Sequence, residues 1–119
     1  MKLSVNFYTT EQQQSQTIEF NPNFQTWLSR SPLFQIGEDQ IHTLSLEGQD
    51  IEKPVVNLNK EVRSQMLDFL YNAIVSETKE LLFQIEDLAI HDELTYRIDK
   101  LIAILDCVKN TQYQYLQRK

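Results

Sequence analysis

Apolar and polar residues alternate at the start of the chain: Leu3, Val5 and Phe7 fall on one side, Lys2, Ser4 and Asn6 on the other. A period of two marks a half-buried strand. Thr9 to Gln16 is polar, contains Gln12-Gln13-Gln14 and reads as a loop. Alternation resumes at Thr17-Ile18-Glu19-Phe20, so the two strands form a hairpin with a long connection. Asn21-Pro22-Asn23 stops the second strand, and Pro22 or Asn23 opens a short helix, because asparagine caps free N–H groups and proline suits a first turn. Phe24, Trp27 and Leu28 then share one helical face, and Ser31-Pro32 ends the helix. Leu33, Phe34 and Ile36 follow no period. A third strand is expected over Ile41–Glu47, with Leu44 and Leu46 on its inner face, followed by a turn at Gly48-Gln49-Asp50. Val55, Val56 and Leu58 make a short fourth strand, and Pro54 places it at a sheet edge or marks its first residue.

After Asn59, a fitting N-cap, the period changes from two to that of a helix. Met66, Phe69, Leu70, Ala73 and Ile74 form one stripe, which Thr78, Leu81, Ile85 and Leu88 extend. A second stripe runs through Leu94, Ile98, Leu101, Leu105 and Val108. Continuing the first stripe leads to Asp92, Thr95 and Asp99, so the two are out of phase on a single helix. A break near Ile90–Asp92, with Asp92 as the second N-cap, restores the register. One unbroken rod of this length would be ~75 Å long, more than a small domain can cover. A weaker break at Ser76-Glu77-Thr78 would divide the first helix. Ile102 and Ile104 lie off the second stripe, which makes that helix central, or a dimer face wherever it is left uncovered. The tail from Asn110 continues this helix or frays. Tyr113 and Tyr115 are two apart, so at least one is exposed unless the tail is not helical.

The expected fold is α+β: a small antiparallel β-sheet of three to four strands, followed by and packed on an antiparallel helical hairpin. One domain spans 1–119, with a strand-rich half over 1–58 (short helix near 23–30) and a helical half over 59–119. Composition narrows the function. Gly37 and Gly48 are the two glycines, too few for a loop that cradles phosphates. Cys107 is the single cysteine, so no disulfide forms within the chain. The longest apolar run, Leu101 to Leu105, is far short of a membrane span, and Met1-Lys2-Leu3-Ser4-Val5-Asn6 is unlike a signal peptide. These features point to the cytoplasm and away from membranes.

The net charge of −6 argues against nucleic acid as partner, and its placement is informative. Residues 61–106 hold ten acids and four bases, while the rest of the chain holds seven of each. A field concentrated on one half favours a basic protein partner, for which it speeds encounter and sets specificity. Glu86, Asp87, Asp92 and Glu93 cluster around the expected helix break and form the candidate contact site, with Tyr113 and Tyr115 as adaptable aromatic contacts. The plainer explanation of such charges is a solvated helical face.

Catalytic patterns are sparse. Asp87 and His91 are spaced to share a metal on one helical face, but a second histidine is missing there, since His42 lies in the strand half. No Glu-x-x-His pair is present. Cys107 has Asp106 and Val108 beside it, which do not favour a thiolate. Trp27 with Phe24 and Phe34 reads as the plug between sheet and helices. The sequence therefore points to a non-enzymatic acidic protein-binding module without a cofactor or metal, an inhibitor of a basic partner in the manner of immunity or phage counter-defence proteins. The alternatives are a structural or adaptor protein that dimerises through its C-terminal helices, and a small metal-dependent enzyme using Asp87 and His91.

Overall fold

Residues 4–9, 15–46, 48–84 and 86–118 are described by a computed structural model. They form β1 (Ser4–Thr9), β2 (Ser15–Glu19), α1 (Pro22–Ser29), a 3₁₀ turn (Pro32–Phe34), β3 (Asp39–Leu46), β4 (Gln49–Asn57), α2 (Lys60–Phe83), α3 (Leu88–Lys109) and β5 (Tyr113–Gln117). The fold is α+β. The five strands make one antiparallel sheet in the order β2-β1-β5-β4-β3. Expectations for Leu3, for the glutamines at 12–14, for Glu47 and for Ile85 lie outside the described residues.

The local signals at α1 act as the sequence implies. The Asn21 side chain accepts the Phe24 N–H at 2.8 Å, and Pro22 occupies the first turn. Phe24 and Leu28 are buried against the sheet, and Trp27 is half-buried beside them. The main core lies between helices and sheet. Val5, Phe7, Ile18, Val56 and Leu116 supply the strand side, and Met66, Leu70, Leu101, Ile104, Leu105 and Val108 the helix side. The apolar stretch at 101–105 is thus covered within the chain, Ile102 apart.

Several expectations need correction. The tail neither continues the helix nor frays: it is β5, and it lies between β1 and β4. Phe7 pairs with Leu116 and Tyr8 with Tyr115 on one side, and Val56 pairs with Leu116 on the other. Asn110 reverses the chain, its side chain accepting the Gln112 N–H at 3.0 Å, and tyrosine suits a half-buried strand. A sheet of five strands replaces the three to four expected.

The helix break falls at 84–87, earlier than Ile90–Asp92. The Gln84 N–H closes α2 on the carbonyls of Glu80 and Leu81, and Asp87, in place of Asp92, caps α3 by accepting the Ile90 N–H at 3.2 Å. Asp92 lies inside α3. Stripe phase locates a break only to within about a turn, and the cap residue decides the rest. There is no break at 76–78, where Thr78 Oγ1 donates back to the Ile74 carbonyl at 2.7 Å and leaves α2 continuous. Glu77 meets Arg97 and Arg63 meets Val108, so the two long helices run antiparallel.

β4 is longer than expected and takes up Gln49 and Asp50. It pairs with β3 from Asp39↔Val56 to Leu46↔Gln49, but with β5 only at Val56 and Asn57. Most of β3–β4 is therefore a two-stranded ribbon beyond the body of the sheet. Pro54 lies where β4 has no partner on the β5 side, so its missing N–H costs no ladder bond. Leu44 faces away from the helices, in a second cluster with Tyr8, Val55 and Tyr115.

Candidate functional site: the acidic tip of the helix pair

The α2–α3 pair outruns the sheet. A helix of 24 residues is ~36 Å long, whereas a strand of five or six residues spans ~20 Å. The last turn of α2 and the first turn of α3 consequently have no sheet beneath them. Phe83 is 84% exposed, Leu88 74% and Leu82 65%. These are large apolar groups held in water on ordered helix ends. Glu80, Glu86, Asp87 and Asp92 are exposed around them.

The structure brings Glu86, Asp87, Asp92 and Glu93 to this one end of the molecule and gives them different tasks. Asp87 caps α3. Glu93 pairs with Arg97 at 3.3 Å, and Arg97 also meets Glu77 at 3.0 Å while its guanidinium lies 4.6 Å from the centre of the Trp27 ring. That arrangement ties α1, α2 and α3 together just below the tip. Glu86 and Asp92 point into solvent. Beside them is an open cleft of about 370 Å³, bordered by Asn21, Phe24, Ala89, Asp92, Tyr96 and Arg97.

Tyr113 and Tyr115 are elsewhere. Both are half-buried in the central strand β5. Tyr113 lies on the helix side, 5.9 Å from the ring of Phe7, and Tyr115 lies on the opposite face against His42, 4.9 Å away.

The apolar anchors escaped the sequence reasoning. The helical stripe puts Leu88 on an inward face and does not include Leu82 or Phe83. One signal was available: Leu81-Leu82-Phe83 are consecutive, successive helical residues turn by about 100°, and so three in a row cannot all face inward.

The chemistry of His91 and Cys107 is limited by geometry. His91 Nδ1 stands 3.9 Å from Asp92 in an exposed position, and the Asp87 carboxylate is committed to its cap. Among the described residues, no three His, Cys, Asp or Glu side chains are grouped to hold a metal ion. Cys107 is buried in the main core, and burial, aided by Asp106, pushes its thiol from 9.0 to about 11.

This shift makes stability depend on alkaline pH. The unfolded thiol ionises first as pH rises, so the folded state keeps its full advantage below pH 9 and loses it as pH climbs through about 11. Burial raises Tyr8 and Tyr113 as well, which adds in the same direction. The expected loss from Cys107 is of order 2 kcal/mol. Urea titrations at pH 8 and pH 10.5 measure it, and Cys107→Ala is expected to reduce the difference between the two. An equal difference in the variant would assign the alkaline loss to other groups.

No helix of the described residues is long and apolar enough to cross a membrane. Comparisons with protein-family models, with curated proteins and with solved structures found no match.

Proposed function

We propose that the protein is an acidic protein-binding module that uses the tip of the α2–α3 pair to occupy a basic site on another protein and so inhibit it. The observation that carries this reading is the exposure of Phe83, Leu88 and Leu82, with the carboxylates of Glu86 and Asp87 beside Phe83 and Leu88. An ordered apolar cluster of this kind is characteristic of an interaction surface. The surrounding acids select its occupant. Phosphate backbones and anionic lipid headgroups are repelled, and a second copy of the same tip would place carboxylates against carboxylates. A protein pocket with an apolar floor and a rim of lysine and arginine matches both features, the apolar groups supplying affinity and the carboxylates steering the approach.

The test uses Phe83→Ser/Leu88→Ser and, separately, Glu86→Lys/Asp92→Lys. The partner is first captured from the native host on the wild-type chain and then purified. Its affinity is expected to fall about 100-fold for the apolar pair, since each buried anchor contributes on the order of 1–2 kcal/mol. The charge reversals are expected to act mainly on the association rate and to remove most of its salt dependence. These residues are exposed, so thermal unfolding is expected to change little. A partner that binds the Phe83→Ser/Leu88→Ser variant as tightly as wild type would refute the assignment of the tip.

A further inference from the structure

We infer that the outer edge of β3 is a self-association surface, on which a second copy of this chain adds its own β3 in antiparallel register. No described strand pairs with that edge. Unpaired strand edges are sites for further pairing, and folded proteins usually blunt them with short strands, charges or proline. The other free edges here are blunted in that way. β2 has five residues and ends in Glu19. The free side of β4 carries Asp50, Glu52, Lys53 and Pro54. β3 has eight residues, no proline, and one charged residue, Asp39, which lies at its start and is paired with Arg118 at 3.3 Å. Ile41, near its middle, is 64% exposed.

The ribbon also gains from a third strand. Over most of its length β3–β4 is two-stranded, and a two-stranded ribbon is marginal alone, whereas three or more strands hold together. Pairing β3 with β3 about a twofold axis perpendicular to the sheet requires opposed residues to share a face, so residue numbers of equal parity meet. In the register centred on His42, Ile41 lies opposite Thr43 of the second copy, and the two Ile41 side chains are diagonal neighbours within packing reach.

Charge opposes a second copy less at this edge than along the helical half. The largest excess of acids lies within 61–106, whereas the strands β3 and β4 carry Asp39, Asp50 and Glu52 against Lys53, with Asp39 paired to Arg118. Across a β3–β3 seam the two β5 strands are five strand spacings apart, roughly 24 Å. The helices that pack over β1, β2 and β5 are separated by at least a comparable distance, well beyond a screening length of about 8 Å at physiological salt. The resulting assembly is a ten-stranded sheet with both helical layers on one side and the two acidic tips free.

Sedimentation velocity of the purified chain between 5 and 300 µM tests this, with Ile41→Lys as the edge-blocking variant. Ile41 is exposed, so the variant is expected to keep the wild-type melting temperature. Wild type is expected to dimerise in this range, and Ile41→Lys to weaken the dimer at least tenfold. Phe83→Ser/Leu88→Ser is expected to leave the dimer intact, which separates this inference from the partner-binding role of the tip. With Ile41→Cys, a short bis-maleimide is expected to yield a covalent dimer, and with Thr78→Cys on α2 none. A wild-type chain that remains monomeric at 300 µM overturns the inference. So does a dimer indifferent to Ile41→Lys, or one that is cross-linked through Thr78→Cys.

Discussion

Replacing Arg118 with methionine is expected to lower the unfolding free energy by about 3–5 kcal/mol, the cost typical of breaking a buried charge pair. Arg118 is the residue just after β5, and its side chain is almost completely buried. Its guanidinium donates to the carbonyls of Leu33, Ile36 and Gly37 and to both carboxylate oxygens of Asp39. One side chain thus ties the end of the central strand to the segment that leads from the 3₁₀ turn into β3. Methionine fills much of the same volume but donates nothing, so the hydrogen bonds from Arg118 to three carbonyls and a carboxylate are lost at once. Gly37, one of the acceptors, has φ +73°, and a Cβ there would stand 2.7 Å from Val56 Cγ1, so the backbone lies close against β4 at a position that admits no side chain. Arg118→Lys keeps the charge but not the planar fork of five donors, and is expected to recover less than half of the loss. Guanidinium denaturation of the three proteins measures this. A methionine variant within 1 kcal/mol of wild type would mean that water replaces the guanidinium, and that Arg118 does not fix the 33–39 segment.

The features legible in the sequence are those encoded over a few residues. α1 follows from Asn21-Pro22 and from the Phe24, Trp27, Leu28 spacing, and β1 follows from its alternation. The second helical stripe is buried as its period implies, at Leu94, Leu101, Leu105 and Val108. What escaped depends on partners distant in sequence. β5 is five residues of tyrosine, glutamine and leucine, and its strand character comes from pairing with β1, about as far away as the chain allows: Tyr8 donates to Gln117 across 109 positions at 2.6 Å. Of the candidate site, the sequence displays the charges and hides the exposed apolar groups, for a related reason. A stripe shows which residues share a face. It does not show where the surface beneath that face ends, and Leu88 is exposed because the sheet stops before the helices do.

Arg63 supplies the second large expected effect, and one that distinguishes local from global loss. Its guanidinium donates to the carbonyls of Val108 and Asn110, where α3 ends, to Tyr113 at 2.7 Å, where β5 begins, and to Leu58 at 3.0 Å, between β4 and α2. These acceptors are uncharged carbonyls, and burial lowers the pKa of the guanidinium, yet arginine stays protonated at any ordinary pH. Arg63→Met is expected to cost about 2–4 kcal/mol in global stability, since hydrogen bonds to a charged group contribute about 1.5–3 kcal/mol each and part of that is recovered by water at this half-buried position. The cost does not fall evenly. Between α3 and β5 the chain has only Asn110, Thr111 and Gln112 with which to reverse, and Arg63 holds both sides of that reversal. Hydrogen exchange is therefore expected to accelerate at least tenfold more in the amides of Tyr115 and Leu116 than in the α2 amides of Leu67 and Leu70, because β5 can leave the sheet while the helix pair stays folded. Uniform acceleration across both sets would show that β5 and the helices unfold as one unit, and that Arg63 contributes to general stability and does not act as the latch of the central strand.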